Sequence, residues 1–224
     1  MAENKLYDTL LALPLFLGMS RNDLREAAGV TKFDFQKIKQ GESVVVDGAS
    51  CQHLYFLLAG DIDVITEADD HGYRIEEYIS APETFQLECL FGLRPRFTHT
   101  YLAKVDCSIM CIEKQDVLKL LQEFEIFRLN LLNLVSTQTQ KMNRRLLRVP
   151  PKSLEERIVW FFESRCLRPA GEKTFYIKMR RIAEELNDSR LDISRALKHL
   201  QDQELLYLHR GRIHIPALEK LFNK

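Results

Sequence analysis

Arg190, Ser194, Arg195 and Lys198 fall mostly on one side of a helical segment, and their side chains are hydrogen-bond donors of the kind a nucleic-acid duplex requires. An arginine can donate two hydrogen bonds to a guanine edge, and a serine can reach a base or a phosphate. The stretch that carries them, MRRIAEELNDSRLDISRALKHL (179–200), reads as two helices joined by a very short turn. Ile182, Ala183 and Leu186 give the first helix its apolar face. Asn187 stands where that helix must stop, and Asn tolerates the left-handed backbone of a tight turn. Asp188 or Ser189 can cap the second helix through a side-chain oxygen. Ile193, Ala196, Leu197 and Leu200 form that helix's inner stripe. Such a pair suits a helix-turn-helix, whose second helix enters the major groove. A generic helical hairpin with a solvated basic face fits these residues equally well. The segment C-terminal to the pair favours the helix-turn-helix. Leu205–Leu208 and Ile213–Ile215 flank His209-Arg210-Gly211-Arg212, a β-hairpin with a glycine turn and a basic tip. Arg210 and Arg212 would then meet DNA from a wing.

The elements that must position these groups can be read backwards along the chain. Val149-Pro150-Pro151 ends a long helix and marks a hinge, because proline cannot continue a helix and restricts the residue before it. Ser153 caps the next helix, with Glu155 and Glu156 at its positive end and Ile158, Val159, Phe161 and Phe162 as its core. Phe175–Ile177 is a short strand, and Ala217–Phe222 a short closing helix. The long helix, Phe124 to about Arg148, carries two apolar rows. One is Phe124, Phe127, Leu131, Leu134, Gln138, Lys141 and Arg145; the other is Leu132, Val135, Thr139, Met142 and Leu146. The band could pack on its own domain or form a two-helix dimer seam, and its width favours the seam. The expected interface is Phe127, Leu131, Leu134, Val135, Gln138 and Met142. Lys114 to about Gln122 is a short helix. Between Lys32 and Ile112, short alternating runs punctuated by Gly41, Gly48, Gly60, Gly72 and Gly92 predict an antiparallel barrel or sandwich. Residues 4–28 predict two short helices broken at Pro14 and near Gly18-Met19, with Ser20 as an N-cap and Leu24 and Ala28 facing inward.

Composition bounds the possibilities. The 224 residues suffice for two domains. The formal net charge is zero, but residues 148–224 hold 16 Lys+Arg against 11 Asp+Glu, so a basic C-terminal part follows an acidic N-terminal one. No apolar run reaches membrane-span length, and the start, MAENKLYD, has no signal-peptide pattern, so a cytoplasmic protein is expected. Cys51, Cys89, Cys107, Cys111 and Cys166 form no CxxC pair, which suits free thiols in a reducing compartment. Cys107 and Cys111 would share one face of a strand, but two thiolates are too few for a metal site. No spacing supports a catalytic constellation, and no enzyme is expected.

The order helix, β-rich domain, long helix and winged helix resembles the cyclic-AMP receptor/FNR (Crp/Fnr) family of bacterial transcription regulators over nearly the whole chain. The resemblance rests on Gly41, Gly48 and HLYFLLAGDIDVI (53–65) in the first part and on NDSRLDISRALKHL (187–200) in the second. It implies an α+β protein with three parts: an antiparallel jelly-roll-like (double-stranded β-helix) effector domain with N-terminal helices at 1–113, a short helix and long dimerisation helix at 114–149, and a winged helix-turn-helix at 150–224. It also implies a homodimer on an inverted-repeat DNA operator, contact with RNA polymerase, and a small-molecule effector. Arg190, Leu191, Ser194 and Arg195 match the family's base-reading positions, and Ser189, Lys198, Arg210 and Arg212 complete the DNA-contacting set. Leu191 stands where the best-known members carry a Glu; it can touch a thymine methyl but cannot accept from cytosine.

At the effector site the resemblance implies a Gly-Glu that holds ribose and an Arg before Ser or Thr that holds phosphate. The matched positions are Gln86-Leu87 and Phe97-Thr98, so only Thr98 survives. Glu88 and Arg96 each lie one residue away, in opposing directions. The expected pocket comprises Phe85, Gln86, Leu87, Glu88, Phe97, Thr98, His99, Met142 and Asn143, apolar and unsuited to cyclic nucleotides. No cofactor is expected; His53 or His99 offers haem a ligand, though a single His in a strand is more often structural. The alternatives are a haem or small-molecule sensor acting through protein partners, and a fragment of a cyclic-nucleotide-regulated enzyme.

Overall fold

The computed structural model describes residues 2–149 and 151–222. Pro150 of the expected hinge lies outside them, as do the side chains of Arg145 and Leu146. In chain order the elements are α1 (Ala2–Leu11), α2 (Arg21–Val30), β1 (Phe33–Ile38), β2 (Ser43–Val45), β3 (His53–Ala59), β4 (Asp61–Glu67), β5 (Tyr73–Ser80), β6 (Glu83–Thr84), β7 (Thr100–Ala103) and β8 (Cys107–Glu113). They continue with α3 (Lys114–Glu123), α4 (Glu125–Leu146), α5 (Leu154–Arg165), β9 (Lys173–Ile177), α6 (Met179–Leu186), α7 (Arg190–Asp202), β10 (Tyr207–His209) and β11 (Arg212–Ile215). A 3-10 turn, Leu218–Leu221, closes the chain. The chain is α+β with antiparallel sheets, as expected. It packs as two compact units: Met1–Ile62 with Ile79–Arg144, and Asp63–Tyr78 with Arg145–Lys224.

In the first unit a four-stranded sheet runs β1-β8-β3-β6, and β2 pairs antiparallel with β7. Leu54, Phe56 and Leu57 on β3, with Ile109 and Ile112 on β8, are buried. Removing side chains of this size from water stabilises by about 1.5–3 kcal/mol each. Ser20 caps α2: its hydroxyl accepts from Asp23 N, and the Asp23 carboxylate accepts from Ser20 N, a reciprocal capping box. Leu24 faces inward as expected, but its partner is Ala27, not Ala28, which is exposed. The spacing i, i+3 serves this short helix better than i, i+4. The first part of α4 is held by Phe127, whose ring lies 5.3 Å from that of Phe16. Asn130 donates from its amide to the carbonyls of Leu15 and Leu17 at 3.1 and 2.8 Å.

The second unit is built on one apolar core, which includes Ile158, Phe162, Phe175, Ile182, Ile193, Leu197, Leu200 and Ile215. The Ser153 hydroxyl accepts from Glu156 N and starts α5. The sheet β10-β11-β9-β5 is antiparallel throughout. Strand β5 comes from the β4–β5 hairpin, far earlier in the sequence, and Ile75 of that strand is buried in the same core.

Candidate nucleic-acid interface and effector site

α6 ends at Asn187, which adopts the left-handed conformation (φ 50°, ψ 52°) anticipated for the turn. Of the two candidate caps, Ser189 takes the role, its hydroxyl accepting from Asp192 N at 3.1 Å. Asp188 does something else. It accepts from Ser189 N at 2.8 Å and pairs with Arg157 of α5 at 2.6 Å. These two contacts, the backbone N–H first, hold its carboxyl below the usual range. Arg157 also donates to the Leu186 carbonyl at 3.0 Å, so one guanidinium ties α5 to both sides of the turn. The turn is fixed from three directions, and α7 leaves it at a defined angle.

The outer face of α7 is open. Ser189, Arg190, Leu191, Ser194, Arg195 and Lys198 are all exposed, while Ile193, Ala196, Leu197 and Leu200 are buried beneath them. Leu191 is 59% exposed. Arg195 donates to Asp192 at 3.4 Å. The following hairpin turns at Gly211 (φ 72°), a conformation glycine adopts without strain. Its flanking residues Arg210 and Arg212 are exposed. All eight expected DNA-contacting residues therefore lie on the surface of one compact unit.

The effector candidates are arranged very differently. Phe85 stacks on Tyr101 with ring centroids 4.3 Å apart, and the Phe97 ring meets Tyr55 edge-on at 6.0 Å. Both phenylalanines are buried. Gln86, also buried, donates from its amide to Thr98 Oγ1 at 2.7 Å and accepts from Thr98 N at 3.2 Å. The two positions that match the family's ligand-holding cassette are thus bonded to each other. Arg96 is exposed and donates to the Gly48 carbonyl at 2.7 Å, and Glu88 is exposed. Leu87 and His99 are half-buried. Met142 and Asn143 are exposed on α4. A cyclic phosphate brought to Gln86 and Thr98 would meet no cation among the side chains that hold this site.

His53 packs by its ring against Tyr55, with centroids 6.0 Å apart. Among the described residues no group of three or more His, Cys, Asp or Glu is placed to hold a metal ion. None of the five cysteines is in a disulfide, and all are buried. Burial pushes the thiols of Cys51 and Cys111 up to about 11 and that of Cys89 to about 12. A cavity of about 460 Å³ lies in the second unit, lined among others by Val159, Trp160, Leu200 and Leu221; none of the effector candidates borders it.

On α4, Phe127 is fully buried and Leu131 nearly so within the single chain. Phe127 packs on Phe16, so it has no surface left for a partner, and its expected place in a dimer seam is corrected on that ground. Leu134, Val135 and Gln138 are half-buried. Among the described side chains of α4, the large apolar residues left on the surface are Ile126, Leu129, Leu132 (54% exposed) and Met142 (66%). Spacing alone did not separate the row spent on the chain's own helices from the row that stays free.

Comparison with known proteins agrees with this architecture. Residues 35–124 match the cyclic nucleotide-binding domain family. The fold is similar to the Catabolite Activator Protein of Thermus thermophilus, at 19% identity and a TM-score of 0.54, over 93% of this chain and 96% of that one. It is also similar to a transcriptional regulator of the Crp/Fnr family from Eubacterium rectale, at 20% identity and a TM-score of 0.53, over 93% and 96%. The sensor domain of the transcriptional regulator DNR from Pseudomonas aeruginosa is similar over 68% of this chain and 99% of that one, at 19% identity and a TM-score of 0.53. The sequence matches no curated protein. Residues 35–124 are thus similar to the cyclic nucleotide-binding domain family, and the structural neighbours include a transcriptional regulator of the Crp/Fnr family. At these identities the structural likeness establishes the fold.

Proposed function

We propose that this protein is a transcription regulator of the Crp/Fnr type that binds an inverted-repeat operator as a homodimer and answers to an effector other than cyclic AMP. The observation that carries the reading is the exposed face of α7. Arg190, Ser194 and Arg195 are exposed above an apolar inner stripe, beside a β-hairpin whose tip is Arg210-Gly211-Arg212. A face kept free of apolar contacts and supplied with donors is what major-groove reading requires. In this reading α6 and α7 form the helix-turn-helix and β10–β11 its wing. The division of labour follows the sequence, with an effector domain at 1–113, dimerisation by 114–149 and DNA reading by 150–224.

The dimer seam uses the free row of α4. Leu132, Val135 and Met142 pack on their symmetry mates in a C2 arrangement. Leu191 gives the operator a different preferred base from one read by an acceptor. The protein is cytoplasmic, is not an enzyme, and engages RNA polymerase when bound. The effector is small and less charged than a nucleotide phosphate, because Gln86 and Thr98 offer hydrogen bonds but no counter-charge. The test is a gel-shift against fragments of the native genome. A dimer retained on a small set of fragments sharing an inverted repeat supports the proposal. No preference over random DNA, in a dimer shown to be folded, would transfer the function to protein partners.

A further inference from the structure

The cavity of about 460 Å³ in the second unit has a lining that the sequence of α5 creates. Glu156, Val159, Trp160 and Glu163 follow one another at helical spacing, so one face of α5 borders the cavity. The opposite face places Ile158, Phe161 and Phe162 in the unit's core. Leu200 of α7 and Leu221 of the closing 3-10 turn complete a buried apolar surface, and Phe222 adds a second aromatic ring beside that of Trp160. Small-molecule sites occupy about 300–1,000 Å³ and combine such an apolar lining with a few polar groups.

Two observations say which chemistry would fit. The first is the Trp160 indole N–H, which is buried and meets no acceptor among the described residues. A buried donor left without an acceptor is costly, and folded proteins leave few of them. An oxygen on a bound molecule would satisfy it.

The second is charge. Glu155, Glu156 and Glu163 border the cavity, against one cation, Arg148. Arg148 is engaged by Glu163 at 2.6 Å, and Glu155 lies 2.5 Å from His199. Glu156 is exposed; its backbone N–H donates to the Ser153 hydroxyl, and its carboxylate has no partner among the described residues. The N-terminus of α5 contributes about half a unit of positive charge. That is too little to offset three carboxylates already set against a single guanidinium. The local field favours a cation, and the faces of Trp160 and Phe222 favour one too.

We propose that this cavity binds a small aromatic amine. The ring of the ligand lies against Trp160, Phe222 and the aliphatic lining, its ammonium meets Glu156, and an oxygen accepts from the Trp160 indole. The site belongs to one compact unit and does not require that the unit read DNA.

Trp160 is the single tryptophan of the chain, so its fluorescence reports this site alone. Three probes of one shape separate the contributions. Tyramine has the ammonium and a phenolic oxygen, 4-ethylphenol lacks the charge, and 3-(4-hydroxyphenyl)propionate reverses it. Each is titrated into the full-length protein, with excitation beyond the phenol absorption band. Tyramine should give a saturable change with one site per chain. The neutral probe should bind several-fold more weakly, and the propionate more weakly still. Glu156→Gln should weaken tyramine several-fold and leave 4-ethylphenol unchanged, whereas Phe222→Ala should weaken both. Both substitutions are at exposed positions and keep the reporter, and circular dichroism checks that the variants are folded. No saturable change with tyramine, a neutral or anionic probe that binds as tightly as tyramine, or a folded Glu156→Gln variant with undiminished tyramine affinity would each overturn the proposal.

Discussion

Titration with cyclic AMP and cyclic GMP probes the effector site where its chemistry is most exposed to refutation. An ordinary micromolar ligand binds with about −8.2 kcal/mol. Here the phosphate would have to displace the Gln86–Thr98 pair, two hydrogen bonds at 2.7 and 3.2 Å. Each is worth about 0.5–1.5 kcal/mol net, so roughly 1–3 kcal/mol is lost. In the proposed effector site Phe97 offers no guanidinium to neutralise the charge, and a buried charge left without its partner costs about 3–5 kcal/mol. The sum, about 4–8 kcal/mol, is three to six decades in affinity at about 1.4 kcal/mol per decade. The expected dissociation constant is therefore millimolar or weaker for both nucleotides. Isothermal calorimetry at high protein concentration reads this directly. Micromolar binding that disappears in Arg96→Ala would refute the reasoning, because it would mean that Arg96 leaves the Gly48 carbonyl and reaches the phosphate.

The geometry sets three further outcomes. Leu132→Glu places a charge on the free row of α4 and should convert dimer to monomer in sedimentation; a dimer that persists would remove this row from the interface. The native protein should react slowly with a thiol reagent at pH 8, since burial raises the thiols of Cys51, Cys89 and Cys111 to about 11, 12 and 11, and all five cysteines should label on unfolding. Asp188 has its carboxyl lowered by Ser189 N–H and Arg157, so its contribution is present above the unfolded carboxylate value of about 3.9 and is lost as pH falls through the lower folded value. Asp188→Asn should therefore lower the melting temperature at pH 7 and reduce its acid dependence, whereas an unchanged melting curve at both pH values would make the Arg157 contact dispensable.

The α6–α7 pair was legible in the sequence because each of its signals is local. Asn187 at the turn, Ser189 at the cap and the stripe of Ile193, Ala196, Leu197 and Leu200 sit within one stretch and have one reading. The bond between the two segments of the expected effector site was not legible. Gln86 and Thr98 are twelve residues apart, and nothing in either segment announces that they bond to each other. The roles of the α4 rows were only half legible. Periodicity gives the width of an apolar band, not which edge finds Phe16 in its own chain. The β4–β5 hairpin was least legible. Its alternation looks like that of any half-buried hairpin, and the pairing of Glu77 with Lys173 joins residues 96 apart through a register that only the folded sheet reveals.

The central claim is that α7 reads base edges. Arg195→Ala measured by fluorescence anisotropy on the selected operator and on random DNA, at several salt concentrations, tests it most directly. The expected result is a loss of roughly 1–3 kcal/mol on the operator alone, with relaxed preference at one base position and little change on random DNA, while Arg210→Ala weakens both and flattens the salt dependence. An equal loss on operator and random DNA for Arg195→Ala would contradict the claim and reduce Arg195 to a phosphate contact.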